Sequence, residues 1–422
     1  ADNAEITAVA SGTLPNGKPV IVNADGTVSV VAGVAEGFGT AVTINSYSTF
    51  TGATFDSNSN RLVIVYRDGS NTYGTAIVGT VSDRTISFGT AVVYESASSN
   101  YNAITFDSNS NKVVIAYQDG GNSGYTTSIV GTVDPSDNSI SFGTAVVARS
   151  AYANWVSATF DSNSNKVVIA VDQYAFVGTV SGTNISFGSQ VDYGSGTATS
   201  DVASTFDTNS NKVVLCYTRS GFCKSRVGTV SGTGISFGAE VYVVPFPASG
   251  SNNTITFDSN SNKVVAITLS TGGLTKAAVG TVSGTGISYG TAANVSSSTY
   301  GEMNRVVFDS STNKIIAFWK DGSASYNGTS AVGTVSGTSI SFSSSTIFAN
   351  GSTGDLFATF DSSNNKAVVA YVNSGFKASV FGFESTPPPN LTSENFIGFA
   401  NGAASDTGTA RVQIGSGING AQ

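Results

Sequence analysis

One tetrapeptide limits what this chain can fold into. Thr-Phe-Asp-Ser, or a close variant, recurs with its Phe at 55, 106, 160, 206, 257, 308 and 360, at spacings of 51, 54, 46, 51, 51 and 52 residues. Repetition at such a period marks one supersecondary unit that cannot bury its apolar face alone and needs its neighbours to do so. The unit around Phe106 reads Tyr101 to Asp107, a Ser-Asn-Ser-Asn turn, Lys112 to Tyr117, a variable loop, Ser128 to Val133, a turn, and Ser139 to Val147. These segments are short, rich in Val, Ile, Phe, Tyr and Thr, and bounded by Asn, Asp, Gly and Ser, which is the signal of an antiparallel meander. No segment shows the apolar period of a helix.

The second segment of most copies is almost wholly apolar, as in Val-Val-Ile-Ala-Tyr117 and Ile-Ile-Ala-Phe-Trp319. Both its faces must therefore be covered, which happens when one sheet packs between two others. A four-stranded unit near 50 residues in seven copies matches propeller blades, whereas solenoid repeats are shorter. The expected fold is all-β: a seven-bladed β-propeller of four-stranded antiparallel blades. Gly37 to Val42 has the sequence of a fourth strand with no blade before it, and the last copy stops at Ser379 to Glu384 with no fourth strand after it. The N-terminal strand is expected to complete the last blade and remove the exposed edges of an open array. Each third strand carries one Gly, at 79, 131, 178, 228, 280, 333 and 382, which suggests close approach of a neighbouring blade or a bulge.

Residues 1–34 read as an N-terminal β-hairpin arm turning at Asn23 to Gly26, residues 35–385 as the propeller, and residues 386–422 as a Pro-rich linker with a small β module near Asn395 to Phe399 and Ala410 to Ile414. That module is too small to stand alone, so it either docks on another subunit or continues past Gln422. Cys216 and Cys223 flank a hairpin turn. A turn centred on Arg219-Ser220 would set them opposite each other, as a cross-strand disulfide or as two partly buried thiols.

Charged residues make up only 11%, the net charge is −8 and the pI is near 4.5. Nucleic-acid affinity rests on clustered Lys and Arg, so no nucleic-acid partner is expected. Every apolar run is far shorter than the roughly 18 to 20 residues that span a bilayer, so no membrane insertion is expected.

The arm from Ala10 to Val31, the Phe-Asp-Ser-Asn-Ser-Asn-Lys-Val-Val repeats and the segment Leu391 to Phe399 resemble stretches of virion appendage proteins of marine bacteriophages, tail fibres in particular. The resemblance implies a virion-bound, extracellular structural or host-recognition protein whose arms contact other virion proteins, and a homo-oligomer. It supplies no catalytic residues. The alternative reading is a secreted bacterial adhesin or lectin that binds glycans.

The chain has no histidine, which removes triads, histidine general bases and imidazole metal ligation. A glycosidase needs two facing carboxylates. The acids outside the repeat pattern, Asp172, Asp192, Asp201, Glu240, Glu302 and Asp355, fall on different blades. The segment Asp56 to Asn60 imitates half a calcium loop but lacks the Gly and the closing acid, and it reads as an Asx-type turn. The expectation is a protein that is not an enzyme and has no cofactor and no metal. Connections between strands 1 and 2 and between strands 3 and 4 are nearly constant, whereas those on the opposite face vary. On the variable face lie Tyr73, Tyr101, Tyr125, Tyr152, Trp155, Tyr300 and Tyr326, candidate contacts for a glycan or protein of the host surface. The other account of these rings is local packing against drifting loops.

Overall fold

The second segment of each repeat explains the architecture. In a computed structural model that describes residues 5–14, 19–30, 36–197, 199–248, 253–299, 301–382, 396–400 and 403–413, strand Lys112–Asp119 is buried along nearly its whole length. Val113, Ile115 and Tyr117 pack with Val63, Val65 and Val78 of the preceding repeat. Val114 and Ala116 pack with Val167 and Ile169 of the following one. Alternate side chains of one strand thus supply two inter-sheet cores, and each fully buried Val, Ile or Leu contributes roughly 1.5–3 kcal/mol. The fold is an all-β propeller whose one helical element among the described residues is a single 3-10 turn, Gly120–Asn122. No helix is long and apolar enough to cross a membrane.

The first strands of the repeats, Ser48–Asp56, Val92–Asp107, Val156–Asp161, Ser200–Asp207, Thr254–Asp258, Gly301–Asp309 and Gly354–Asp361, each lie against the next, and the last lies against the first. Gly37–Phe38 and Val42–Asn45 pair with Phe376–Gly382. Val42 stands opposite Ala378, and the Gly39 amide donates to the Val380 carbonyl at 2.9 Å. Phe38 packs on Phe381 and Phe348, with ring centroids 4.8 and 5.3 Å apart. The two ends of the propeller sequence are therefore joined by strand pairing.

Two details differ from the expected seven separate four-stranded blades. Five blades are separate five-stranded sheets, while the first two repeats share one nine-stranded sheet. They merge because Val92–Asp107 is continuous: its beginning pairs with Tyr73–Ser82 and its end with Lys112–Asp119. The fifth strand arises because the fourth breaks in two. Ser139–Phe142 and Val146–Tyr152 both pair with Tyr125–Asp134, with Gly143 between them.

The break has a steric cause in the neighbouring repeat. A Cβ on Gly143 would stand 1.9 Å from the Thr183 carbonyl oxygen, which belongs to the turn between the third and fourth strands of the next repeat. The same close approach recurs around the ring, and at the join it sets Gly39 against Arg84. In the sixth repeat the position is Ser343, whose amide makes the same bond to the Val332 carbonyl, 2.9 Å long. Its neighbour, the seventh repeat, has no such turn, because its third and fourth strands come from opposite ends of the chain.

The third-strand glycines have a different neighbour from the one expected. Gly131 pairs with Phe142 of its own sheet, and a Cβ there would lie 3.0 Å from that ring. Side chains of the same sheet, Val113, Ile140 and the Phe142 ring, fill the space in place of an adjacent blade. The cysteine hairpin turns at Ser220-Gly221, both left-handed at φ 53° and 76°, as a two-residue turn matching strand twist requires. This moves the register by one residue from the expected Arg219-Ser220 turn, so Thr218 faces Cys223 and Cys216 faces Ser225. The cysteines are diagonal neighbours, both free and buried, with sulfurs 3.2 Å apart. The hydrogen bond between them, then burial, pushes the Cys216 thiol up.

Residues 1–37 and 383–422 form a second compact unit. Its sheet runs Glu5–Val9, Thr409–Gln413, Phe396–Ala400, Pro19–Val22, Val28–Val30, and a parallel bridge from Ala10 to Val28 joins the two edges. The expected separate arm and C-terminal module are one sheet, since neither buries a face alone. Leu14, Val20, Val28, Ala410 and Val412 form their common core. Pro387 to Pro389 lie outside the described residues.

Gly143→Val should destabilise the propeller by about 3 kcal/mol or more, because a backbone carbonyl must move to admit the side chain. Ser343→Gly, at the matching position without a facing turn, should cost no more than about 1 kcal/mol. Urea denaturation of both variants measures the difference, and equal losses would contradict the inter-blade contact.

Candidate functional site

Every first strand begins near the ring axis, and most begin with an irregularity. The register with the second strand jumps between Thr49 and Gly52, Asn100 and Ala103, Ser200 and Ala203, Glu302 and Arg305, and Gly354 and Phe357. A residue in or beside each bulge is left-handed: Phe50, Tyr101, Asp201, Met303 and Asp355, at φ 53°, 50°, 49°, 54° and 43°. Trp155, at φ 53°, takes the same place in the third repeat. All stand five positions before the repeated Phe. Bulky residues in this region cost of order 1–3 kcal/mol each, and Gly or Asn would serve a purely structural bulge more cheaply. Bulges re-aim side chains, and here they aim them at the axis.

The side chains so placed line a cavity of about 700 Å³ that draws on all the first strands. On one side Phe50, Tyr101 and Trp155 form an aromatic arc, with centroids 4.9 and 5.3 Å apart. The wall also carries Asp201, Arg305 and Asp355. Asp355 Oδ2 accepts from the Thr51 hydroxyl at 2.6 Å and the Thr51 amide at 3.1 Å. Burial pushes the Asp355 carboxyl above the usual carboxylate range, against the opposing pull of the Thr51 hydroxyl and the Arg305 charge. Burial also lowers Arg305, whose charge Asp355 and Asp201 support. Its guanidinium lies 5.1 Å from the Phe357 ring centre. Glu302 is 3.0 Å from the Lys320 ammonium. Deeper in, Ile104, Ile255, Val306 and Ala358 make an apolar wall, with Ser157 and Ser204 bonded at 2.7 Å. Among the described residues no group of three or more Cys, Asp or Glu is arranged to hold a metal ion.

Of the expected contact residues, Tyr101 and Trp155 line this cavity. Tyr152, 63% exposed, pairs in register with Tyr125. It is close enough to Tyr101 that burial first, then Tyr152, Asp201 and Asp172, push the Tyr101 phenol up. Tyr73 opens the third strand of its repeat and lines no part of the cavity. Tyr326 is exposed and stacks under Lys320, 4.7 Å from ring centre to ammonium, so it touches the cavity only through the Lys320 and Glu302 pair. Tyr300 lies outside the described residues.

Sequence reasoning missed Phe50, Asp201, Arg305 and Asp355 as site residues. It placed the non-repeated acids on different blades, yet Asp201, Glu302 and Asp355 meet in one cavity. The other three do not join them on its wall: Glu240 holds Arg219 and Lys224 at 2.7 and 2.8 Å, Asp172 holds Arg149 at 3.1 Å, and Asp192 caps the Gly196 amide. Alignment of the repeats on their Phe carries the missing signal, since the column five positions earlier reads Phe, Tyr, Trp, Asp, Asn, Met, Asp while its surroundings repeat.

No family model matches the sequence, and no curated protein matches it. Among solved structures the chain is similar to the periplasmic gluconolactonase of Pseudomonas aeruginosa, at 10% identity and TM-score 0.52, covering 81% of this chain and 96% of that one. It is also similar to a putative 6-phosphogluconolactonase from Bacteroides uniformis, at 14% identity and TM-score 0.52, covering 70% and 84%. A lectin of Aleuria aurantia in complex with a fucosylated sugar matches at 10% identity and TM-score 0.45, covering 71% and 95%. At these identities the likeness shows the fold. It overturns the expectation that the chain is not an enzyme: two structures with this fold bear enzyme names, and the acids set aside as scattered converge on one cavity.

The raised Asp355 carboxyl has a consequence for stability. The folded chain binds that proton more tightly than the unfolded chain does, so this group favours the fold on the acid side and opposes it as pH rises through its folded value. Asp355→Asn removes the effect. In thermal melts at pH 3 to pH 7 the wild type should gain on the variant as pH falls, and a constant difference across the range would refute the assignment.

Proposed function

We propose that the chain recognises a saccharide in the central cavity. The observation that carries this reading is a single cavity lined by left-handed Phe50, Tyr101 and Trp155 together with Asp201, Arg305 and Asp355. Aromatic faces take the C–H faces of a sugar ring, and a few convergent charged groups take its hydroxyls. The volume of about 700 Å³ lies in the usual range of small-ligand sites. The fold supports the reading in a second way. If the nine-stranded sheet is counted as two blades fused along Val92–Asp107, the ring is sevenfold, and every repeat contributes residues to the wall of the cavity. Recognition at this site is compatible with turnover of the bound sugar by the same carboxylates, so release of product is measured alongside binding.

We further propose that this site is carried on a virion, as the resemblance of the flanking segments implies, with the five-stranded unit of residues 1–37 and 383–422 as the part that meets other virion proteins. A secreted adhesin with the same cavity is the competing reading. Mass spectrometry of purified phage particles and of cell surfaces separates them, and absence from particles would defeat the virion assignment.

Trp155→Ala should weaken binding on a glycan array by about tenfold or more, with little loss of fold by circular dichroism. Tyr73→Ala, which removes an aromatic outside the cavity, should leave binding unchanged. A reversal of that order would refute the cavity as the binding site.

A further inference from the structure

The chain has two cysteines, and the fold brings them together. Neither lines the central cavity, so their chemistry is independent of the saccharide reading. Cys216 lies on Lys212–Arg219 and Cys223 on Phe222–Ser231. With the turn at Ser220-Gly221, Cys216 stands opposite Ser225 and Cys223 opposite Thr218, which puts both side chains on one face of the hairpin. Diagonal neighbours of this kind normally stand about 7–8 Å apart, at the outer limit for bridging. Here the two side chains lean toward each other and the sulfurs lie 3.2 Å apart. Closing to a disulfide needs about 1.2 Å more.

Packing does not ask for sulfur at these places. The register counterparts of Cys216 and Cys223 are Val65 and Gly74, Ala116 and Thr126, Ile267 and Thr275, and Phe318 and Gly328 in four other repeats. Around the cysteines, Val214, Val227, Val264, Ala266 and Ile287 form an apolar cluster between the fourth and fifth repeats. A disulfide, with no donor to satisfy, suits such a place better than two thiols do. The Tyr289 hydroxyl of the fifth repeat donates to the Ser225 hydroxyl at 3.1 Å and holds the strand beside the pair. Both thiols are fully buried, so they are shielded while the hairpin is closed and exchange when it opens.

We propose that Cys216 and Cys223 are a disulfide-forming pair, oxidised by a small disulfide such as oxidised glutathione. One cysteine, as thiolate, attacks the glutathione disulfide, forming a mixed disulfide and releasing one glutathione thiolate. The second cysteine, as thiolate, attacks the protein sulfur of the mixed disulfide, forms the Cys216–Cys223 bond and releases the other glutathione. The two thiols lose two protons and two electrons, and the glutathione disulfide is reduced to two glutathione thiols. The bond staples the second and third strands of the fourth repeat.

The full chain, purified with reductant, is tested in two preparations: folded chain held with oxidised glutathione, and chain refolded from urea in the same reagent. After alkylation of remaining thiols, tryptic digestion cuts after Lys212, Arg219 and Lys224 and separates the cysteines into Val213 to Arg219 and Ser220 to Lys224. Mass spectrometry should find these two peptides joined, in a chain lighter than the reduced one by two hydrogens and of monomer size. The oxidised chain should melt about 2 °C or more above the reduced one. Two alkylated cysteines in both preparations overturn the proposal. So does glutathione left on either cysteine without a joined peptide, because exchange then reached one sulfur and the other did not close on it. A lower melting midpoint on oxidation also overturns it, since the native hairpin would then be distorted by the bond.

Discussion

The two-faced second strand is the constraint from which the rest of the molecule follows. A strand such as Lys112–Asp119, buried on both sides, needs a sheet before it and a sheet after it. That demand repeats without end unless the last sheet meets the first. Strand pairing between Val42–Asn45 and Phe376–Gly382 satisfies it, and aromatic packing of Phe38 on Phe381 and Phe348 seals the join. The cavity is then a by-product of closure. Short first strands brought into a ring leave an axial space, and the residues that open those strands line it.

The architecture was readable from the sequence because its signals repeat. The Phe-Asp turns, the apolar second strands and the orphan strand at Gly37 to Val42 each recur or complement one another, so errors in one copy are corrected by the others. What escaped was local and three-dimensional. The hairpin at Ser220-Gly221 shifted by one residue because two left-handed positions suit Ser-Gly better than Arg-Ser. The fusion of the first two repeats depends on Val92–Asp107 staying extended through Ser96-Ala97-Ser98-Ser99, a stretch that reads as a loop. The breaks in the fourth strands come from turns of other repeats, which no single repeat encodes.

The candidate site was half legible. Tyr101 and Trp155 stood out as aromatics on the variable face, and both line the cavity. Asp201 and Asp355 were seen, but as acids on different blades, because position was judged by blade and not by register within the blade. In a ring, residues that are far apart in sequence and share a register become neighbours around the axis. The strain at these positions is the physical mark of the site: left-handed Phe, Tyr and Trp persist where Asn or Gly would fold more easily. Tyr73, half-buried at the start of a strand, and the exposed Tyr326 lie off the cavity wall.

Ser343 records where this ring is cut. Glycine is required at its counterparts because a turn from the next sheet presses into them, and serine is tolerated here because the chain enters and leaves at that place instead of turning. A circular permutant that joined Gly382 to Gly37 by a short turn and opened the ring between two other repeats would move this exemption with the new termini. Residue 343 would then need to be glycine, and the glycine facing the new opening would be released from its constraint. The place where the chain enters and leaves the ring is thus written into the sequence of a neighbouring sheet.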